Sequence, residues 1–266
     1  WLESALDQDH RLNAMFDEIE TIKKWHGLDS FVKKTLGYDG EIKYYKHHLN
    51  HLASSFYPSN FKKSLVVSYD GVGEGETAYF AIGEKNKLKI IHDKNKFPNS
   101  LGLIYAAITS YLGWRYACDE GIIMGLASYG KPHNKIPKKN KTYIQVFREI
   151  ISSENNLNLK INTDWITFHK ERDTWLSEKF IDTFGKKRMY ENKLTQHHKN
   201  IASALQLRLE EVILSQLTYL KNKFKINNLC LSGGVGLNCS MNGKIAKSKI
   251  FDNIFVQPAS GDAGLS

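Results

Sequence analysis

The 266-residue sequence has few cysteines, no CxxC pair and no long apolar run, and each absence excludes a class of protein. Its three cysteines, Cys118, Cys230 and Cys239, cannot all pair with one another, which excludes a small disulfide scaffold and indicates a reducing compartment. Apolar runs fall short of the roughly 20 residues needed to span a bilayer, and no signal-like segment opens the sequence. We therefore expect a cytoplasmic protein without a membrane partner.

Apolar and basic residues are what the sequence has in quantity. Hydrophobic residues make up 41% of it, enough for one sizeable core or two small ones, which excludes a disordered tail. The 37 basic and 28 acidic residues leave a net charge of +9, which favours polyanionic partners such as nucleotides without choosing among them. The lysine-rich stretch over 131–141 lacks interleaved aromatics, so we expect a solvated loop there and no nucleic-acid partner.

Helical and extended periodicities follow one another along the chain. Apolar spacing predicts helices over 12–25 and 44–56, the second ended by Pro58. From residue 64 onward the predicted elements are strands over 65–69, 77–82 and 87–92, a helix over 101–112, a long helix over 195–224, a strand over 228–232, a further helix, and a strand over 254–257. Three strands followed by alternating helices and strands are typical of an RNase H-like lobe, although other α/β folds share this order.

Residues 114–190 interrupt the pattern. We interpret them as an insert that shapes a substrate site, with a glycine-rich turn over 120–130. The sequence begins at Trp1 and ends just after a strand-and-glycine signal that should open a helix. We therefore expect a fragment of a longer protein.

Two histidines one helical turn apart give the densest polar signal. His47 and His51 are four residues apart on a predicted helix, and neutral ring nitrogens at that spacing can bind one metal ion. Apolar side chains fall on roughly the opposite face, and they are Leu49, Leu52, Ala53 and Phe56. Histidines that merely face solvent are the alternative interpretation.

Two glycine-rich segments follow predicted strands. Asp70 ends one strand before Gly71 and Gly73, in a turn where backbone amides can approach a phosphate and a carboxylate can hold a cation. An ordinary hairpin is equally consistent with this segment. The second segment, Gly233–Asn238, lies between a strand and a helix, where free amides favour an anion, and it lacks the lysine of a Walker loop.

Asp262 follows the last predicted strand. Because strand ends of one α/β sheet gather at one edge, Asp262 can complete a site of two histidines and one carboxylate. This ligand set suits iron and is acceptable to zinc.

Six motifs occur along the chain in a set order. They are His47–Pro58, Ser68–Glu74, Asn99–Gly102, Met124–Gly130, Leu231–Asn238 and Pro258–Gly264. Together they resemble the O-carbamoyltransferase family, whose members modify nodulation factors, aminoglycosides and cephalosporin-type antibiotics. The resemblance extends from about residue 40 onward.

The resemblance implies a fold and a reaction. The fold is the α/β core of actin and Hsp70 ATPases, with 1–60 as a helical remnant of the first lobe that carries the histidine pair, and 61–266 as a second RNase H-like lobe. The reaction moves a carbamoyl group from carbamoyl-adenylate to a hydroxyl of a small-molecule or sugar acceptor. Carbamoyl-adenylate is made from carbamoyl phosphate and ATP by a domain that the sequence lacks, so we expect the fragment to be inactive alone.

The same resemblance implies roles for individual residues. The implied metal ligands are His47, His51 and Asp262, with Fe²⁺ preferred over Zn²⁺. The implied nucleotide site has Asp70, Gly71 and Gly73 at the carbamoyl and phosphate end, and Gly233, Gly234 and Asn238 at the adenosine end.

Some assignments stay open. Asp164 and Glu120 are both candidate bases toward the acceptor hydroxyl, and nothing selects either. Ile122 stands where the family pattern has lysine, so any contact made by that lysine is in question. A tRNA threonylcarbamoyl-transfer protein and a non-catalytic ATP-binding module of actin type are the alternative interpretations.

Overall fold

In the computed structural model of this protein, residues 26–171 and 174–265 are described, and the predicted helix over 12–25 lies outside them. The strands in these ranges are β1 (Lys63–Gly73), β2 (Glu76–Glu84), β3 (Lys87–Lys96), β4 (Ile151–Glu154), β5 (Asn158–Ile161), β6 (Asn228–Ser232) and β7 (Asn253–Val256). The helices are α1 (Leu28–Leu36), α2 (His47–Phe56), α3 (Leu101–Tyr111), α4 (Glu120–Ala127), α5 (Tyr143–Ile150), α6 (Glu178–Phe184), α7 (Gln196–Phe224) and α8 (Cys239–Ser248).

Five strands form one mixed sheet in the order β3-β2-β1-β6-β7. The strands β1, β2 and β3 pair antiparallel as the predicted meander, whereas β6 pairs parallel to β1 and β7 parallel to β6. A separate antiparallel hairpin, β4 with β5, lies in the predicted insert. Helices pack on both faces of the five-stranded sheet, which confirms the predicted α/β class with a mixed sheet flanked by helices.

Strand β1 is buried on both faces, and its alternating side chains divide between two cores. Leu65 and Val67 belong to the large core, while Val66 belongs to the small one. The predicted end of this strand is too early, because Gly73 still pairs with Glu76 after a break in the register.

The large core lies between the sheet and the helices α3, α5 and α7. Ser100 caps α3, where its hydroxyl accepts a hydrogen bond from the Leu103 amide at 3.0 Å. Helix α7 is 29 residues long and buries an apolar stripe that includes Leu205, Leu209 and Ile213. Both helices were expected from apolar spacing. Among the helices of residues 26–171 and 174–265, none combines the length and apolar character needed to cross a membrane.

Residues 120–127 form helix α4, so the glycine-rich turn predicted at this position is wrong. Ile123 and Leu126 are buried in the large core, where α4 packs against α7. Their burial offsets the cost of placing Gly121 and Gly125 in a helix, which is about 1 kcal/mol each.

Helix α2 packs on the opposite face of the sheet, against β1, β2 and β6. Its buried side chains are His48, His51, Leu52, Ser55 and Phe56. The predicted apolar face is therefore wrong in part, because Leu49 and Ala53 are only half-buried and polar side chains occupy the centre of the buried arc. The reason is that β1 and β6 present serines to which α2 hydrogen-bonds.

The proposed division of the chain at residue 60 stays a prediction.

Candidate metal centre and cleft

Helix α2 begins with His47, and His51 follows one turn later on its buried face. Their Nε2 atoms lie 3.0 Å from each other. The His51 side chain has no exposed surface, whereas 21% of the His47 side chain is exposed. Both ring nitrogens thus converge on one point between the helix and β1.

Asp70 points from β1 toward the two histidines. Its Oδ2 atom lies 2.9 Å from His47 Nε2 and 3.2 Å from His51 Nε2, while Oδ1 accepts a hydrogen bond from the Gly234 amide at 2.8 Å. Burial by itself would raise the pKa of Asp70, but the hydrogen bonds from the two histidines and from Gly234 hold it far below its usual range. The hydrogen bond to Asp70 is also the main reason why the pKa of His47 is raised.

Asp262 lies in a short 3-10 turn after β7. Its Oδ1 atom is 3.5 Å from the Nε2 atom of each histidine, and 74% of its side chain is exposed. Two hydrogen bonds hold the segment that carries Asp262, one to the loop after β6 and one to α2. The Ser260 hydroxyl donates to the Gly233 carbonyl at 2.9 Å, and the Gln257 amide donates to the Ser54 carbonyl of α2 at 2.5 Å.

Four donor atoms therefore meet at this point. They are one nitrogen each of His47 and His51 and one oxygen each of Asp70 and Asp262, all within 4.8 Å of one another. Two imidazole nitrogens with two carboxylate oxygens suit Fe²⁺ or Zn²⁺. The residues present fit the transition-metal ion that the sequence predicts.

His48 lies beside this donor cluster. Its Nδ1 atom is 3.0 Å from the Ser68 hydroxyl, and its ring stacks on Tyr79 with centroids 5.0 Å apart. Burial lowers the pKa of His48 to about 4, so its ring is neutral near pH 7. The His48 ring thus lies outside the group of four donors.

Two predicted site glycines shape the surroundings of the cluster. A Cβ atom on Gly73 would lie 2.1 Å from His47 Cδ2, so a side chain there would displace the ring. Gly233 has a φ of 84°, and a Cβ atom there would lie 2.1 Å from the Tyr69 carbonyl oxygen. The first glycine leaves space for the histidine, and the second lets the loop after β6 pass close to β1.

A cleft of about 680 Å³ opens beside the four donors. Several of the predicted site residues line it, and they are Asp70, Gly71, Gly234, Asn238 and Asp262. Glu120 supplies a further carboxylate, and among the described residues the lining has no lysine, arginine or histidine. Tyr116 and Trp175 contribute aromatic surface from the predicted insert, with ring centroids 4.6 Å apart.

Asn238 borders this cleft as part of a hydrogen-bond network. Its Oδ1 atom accepts from the Met241 amide at 2.9 Å, which caps α8, and its Nδ2 donates to Gln206 Oε1 at 2.8 Å. The Tyr105 hydroxyl donates to the same Gln206 oxygen at 3.0 Å. The structure thus gives Asn238 a capping role in addition to its place at the predicted adenosine end.

The structure places the three positions that the sequence left open differently relative to the cleft. Glu120 lines the cleft and accepts a hydrogen bond from the Ala117 amide at 2.6 Å. Asp164 is exposed and forms an ion pair with Lys179 at 3.1 Å, outside the cleft lining. Ile122 is 47% exposed and is also outside the lining. Of the two candidate bases, the structure brings only Glu120 to the cleft.

Comparison with known proteins adds a family to this geometry. Residues 14–266 match the family described as Carbamoyltransferase N-terminus. The chain belongs to this family. The resemblance to O-carbamoyltransferases that its motifs predict is therefore confirmed.

Relatives of this carbamoyltransferase-family chain are longer than the chain itself. Nodulation protein NolNO of Sinorhizobium fredii is 34% identical over 225 residues, which are 84% of this chain and 30% of that protein. Nodulation protein NolO of Bradyrhizobium diazoefficiens is 33% identical over 220 residues, 82% of this chain and 36% of that protein. An uncharacterized Synechocystis protein is 35% identical over 246 residues, which are 89% of this chain and 38% of that protein. The chain thus spans between 30% and 38% of the length of these relatives.

Among solved structures, HypF from T. kodakarensis aligns with 90% of this chain and 37% of its own, at a TM-score of 0.42 and 14% identity.

The sequence predicts Asp70 at the carbamoyl and phosphate end of the site and as a possible cation ligand, but not beside the two histidines. It also gives no sign of the aromatic pair Tyr116 and Trp175. The glycines after Asp70 suggest a phosphate turn, yet its carboxylate faces α2 because side chains alternate along β1. Val66 and Ser68 point the same way. The alternation along β1 would have predicted that Asp70 faces the histidines, provided that the face of the sheet covered by α2 was known.

Proposed function

We propose that this chain is the domain of an O-carbamoyltransferase that passes a carbamoyl group from carbamoyl-adenylate to an acceptor hydroxyl. The observation that carries this proposal is the convergence of His47, His51, Asp70 and Asp262 at the edge of a cleft large enough for a nucleotide. Membership of the carbamoyltransferase family supports the reaction type.

The proposal includes the RNase H-like fold of actin and Hsp70 ATPase cores. In the sheet order β3-β2-β1-β6-β7, the middle strand is β1, which pairs antiparallel with β2 and parallel with β6. A three-stranded meander continued by two parallel strands supports this assignment. Residues 1–60 would then belong to a first lobe and 61–266 to the second.

In the proposed enzyme, His47, His51 and Asp262 would hold a metal ion, Fe²⁺ or Zn²⁺, and Asp70 adds a fourth donor. When bound, the ion supplies Lewis-acid contact to an oxygen of the adenylate and neutralises charge on it. The hydrogen bonds from His47, His51 and the Gly234 amide lower the pKa of Asp70 against the effect of burial, and the Gly234 amide also orients its carboxylate.

The proposed transfer forms a bond between the acceptor oxygen and the carbamoyl carbon. The bond from that carbon to the adenylate phosphate oxygen breaks, and AMP leaves. The hydroxyl proton must pass to a base, and Glu120 is the lining carboxylate outside the donor cluster that can accept it. Asp164 has no part in this scheme, because it lies outside the cleft.

The acceptor would lie near Tyr116 and Trp175, in the part of the cleft that the insert over 114–190 supplies. Aromatic faces bind apolar ring faces and attract cations. Since the described lining has carboxylates and no basic side chain, a neutral or cationic small-molecule or sugar acceptor is favoured over an anionic one. ATP and carbamoyl phosphate would be consumed by an adenylate-forming domain of the longer, cytoplasmic protein.

Metal content tests the donor cluster. We expect the full-length protein, purified without oxygen, to hold a single iron or zinc ion per chain, and His47→Ala and His51→Ala to lose it. The matched control is His133→Ala, because His133 is an exposed histidine outside the cluster. Equal metal content in all four proteins would disprove the site.

Product analysis tests the reaction. The full-length protein with carbamoyl phosphate, ATP and a hydroxylated acceptor should release AMP and form the carbamoylated acceptor. ATP binding without consumption of carbamoyl phosphate would favour the non-catalytic module instead. Tight tRNA binding with a steep salt dependence would favour threonylcarbamoyl transfer.

A further inference from the structure

A row of polar side chains crosses three adjacent strands beneath α2. In the strand register, Ser68 of β1 stands opposite Tyr79 of β2 on one side and opposite Ser232 of β6 on the other. All three residues are buried. Buried polar groups need hydrogen-bond partners, so this row constrains the helix that covers it.

Helix α2 meets the row with two polar side chains that are two turns apart on one face. His48 Nδ1 lies 3.0 Å from the Ser68 hydroxyl, and the His48 ring stacks on Tyr79. The Ser55 hydroxyl lies 3.3 Å from the Ser232 hydroxyl. Hydrogen bonds are directional, whereas the hydrophobic effect that holds the neighbouring apolar side chains of α2 is not.

The same geometry links the polar row to the donor cluster. Asp70 follows Ser68 by two residues, so both side chains point from β1 toward α2. The His48 ring has its centroid 5.6 Å from that of His47 and 6.0 Å from that of His51. A rotation of α2 that broke the contact between His48 and Ser68 would also move both ring nitrogens away from Asp70.

We propose that His48 and Ser68 are positioning residues for the metal centre, because their hydrogen bond fixes the rotation and height of α2 on the sheet and so aims His47 and His51 at Asp70. This inference rests on the metal site of the proposed function and adds the residues that orient its ligands. Loss of an outer partner that hydrogen-bonds to a metal ligand changes metal affinity by about 10- to 100-fold, and we expect an effect of this order from a rotation of the helix that carries two ligands.

Cobalt(II) titration of the metal-free, full-length protein tests the proposal, with the dissociation constant and the visible spectrum of bound cobalt as readouts. We expect Ser68→Ala and His48→Phe to weaken cobalt binding by about 10- to 100-fold and to change the spectrum. His48→Asn places an amide where Nδ1 lies, so it should restore part of the affinity. Circular dichroism of each metal-free variant confirms that it is folded.

Leu52→Ala is the matched control, because Leu52 is buried on the same helix but belongs to the small apolar core. It should lower the melting temperature and keep the wild-type cobalt spectrum. Wild-type cobalt affinity and spectrum in Ser68→Ala and His48→Phe would overturn the proposal. A loss in Leu52→Ala as large as in Ser68→Ala would do the same. Failure of the wild-type protein to bind cobalt would overturn the metal site itself.

Discussion

The two faces of the central sheet differ in size and in chemistry. The face under α3 and α7 is covered by one large apolar core, whereas the face under α2 has a small apolar cluster, a polar row and the donor cluster. Neighbouring residues of β1 show the contrast, since Tyr69 is buried in the large core while Asp70 faces the histidines. Burying charged groups costs free energy, and the large core on the other face offsets that cost. Most of the apolar core thus lies on one face of the sheet, and the residues that we propose to bind a cation lie on the other.

The largest effect is expected from a cavity in the large core. Phe147 is fully buried there, so Phe147→Ala should lower the free energy of unfolding by about 3–5 kcal/mol. Because Phe147 lies on the other side of the sheet, metal affinity of the folded protein should not change. Urea denaturation and a metal titration measure the two quantities. A loss of metal affinity in the folded fraction would show that the two faces are not independent.

A charge change on the side of the sheet that α2 covers should instead lower metal affinity. Asp70→Asn keeps an oxygen for the Gly234 amide but removes the charge that faces the histidines. We expect metal affinity to fall by about 100-fold, which corresponds to about 2.7 kcal/mol. Isothermal titration calorimetry measures it, with exposed Asp164→Asn as the control. Unchanged affinity in Asp70→Asn would remove Asp70 from the donor set.

A methyl group added at Gly73 should change metal affinity without changing any charge. Gly73→Ala should push the His47 ring aside and weaken metal binding by about tenfold. The matched control is Gly243→Ala, because a Cβ atom on Gly243 of α8 meets nothing within 4 Å. That control should raise the free energy of unfolding by about 0.5–1 kcal/mol and leave metal binding alone. Equal metal affinity in both variants would contradict the crowded environment assigned to Gly73.

The smallest effect is expected at the cap of α8. Asn238→Ala removes the cap, so the free energy of unfolding should fall by about 1 kcal/mol, as measured by thermal denaturation. Asn238→Ser keeps a capping oxygen and should recover the part of the loss that comes from the cap, but not the part that comes from the hydrogen bond to Gln206. If Asn238→Ala instead keeps full stability and weakens AMP binding, Asn238 acts on the nucleotide and not on the helix.

Local patterns predicted most of the regular structure. The meander β1 to β3 and the helices α3 and α7 follow from alternation and helical spacing, because these periods persist whatever the segment packs against. Helix α4 was not predicted, because Gly121 and Gly125 carry a turn signal. Only the burial of Ile123 and Leu126 against the rest of the fold outweighs that signal.

The candidate site was predictable to the extent that it depends on spacing. The four-residue interval between His47 and His51 brings their nitrogens together on any helix, and Asp262 follows from the rule for strand ends. Asp70 depends on which face of β1 the helix covers, and Tyr116 with Trp175 depends on how the insert folds back. Such contacts join segments far apart in sequence, so no local period encodes them.

The sequence by itself determined the order of the five sheet strands and of the helices α3 and α7, the paired histidines and the family motifs, because each of these depends on residues near one another in the chain. Only the tertiary structure decided that α2 lies on the polar row of the sheet, that Asp70 joins the histidines, and that a cleft opens beside them. The physical reason is that a directional hydrogen bond between distant segments fixes the relative position of two elements, while the type of a side chain fixes only what it can bind.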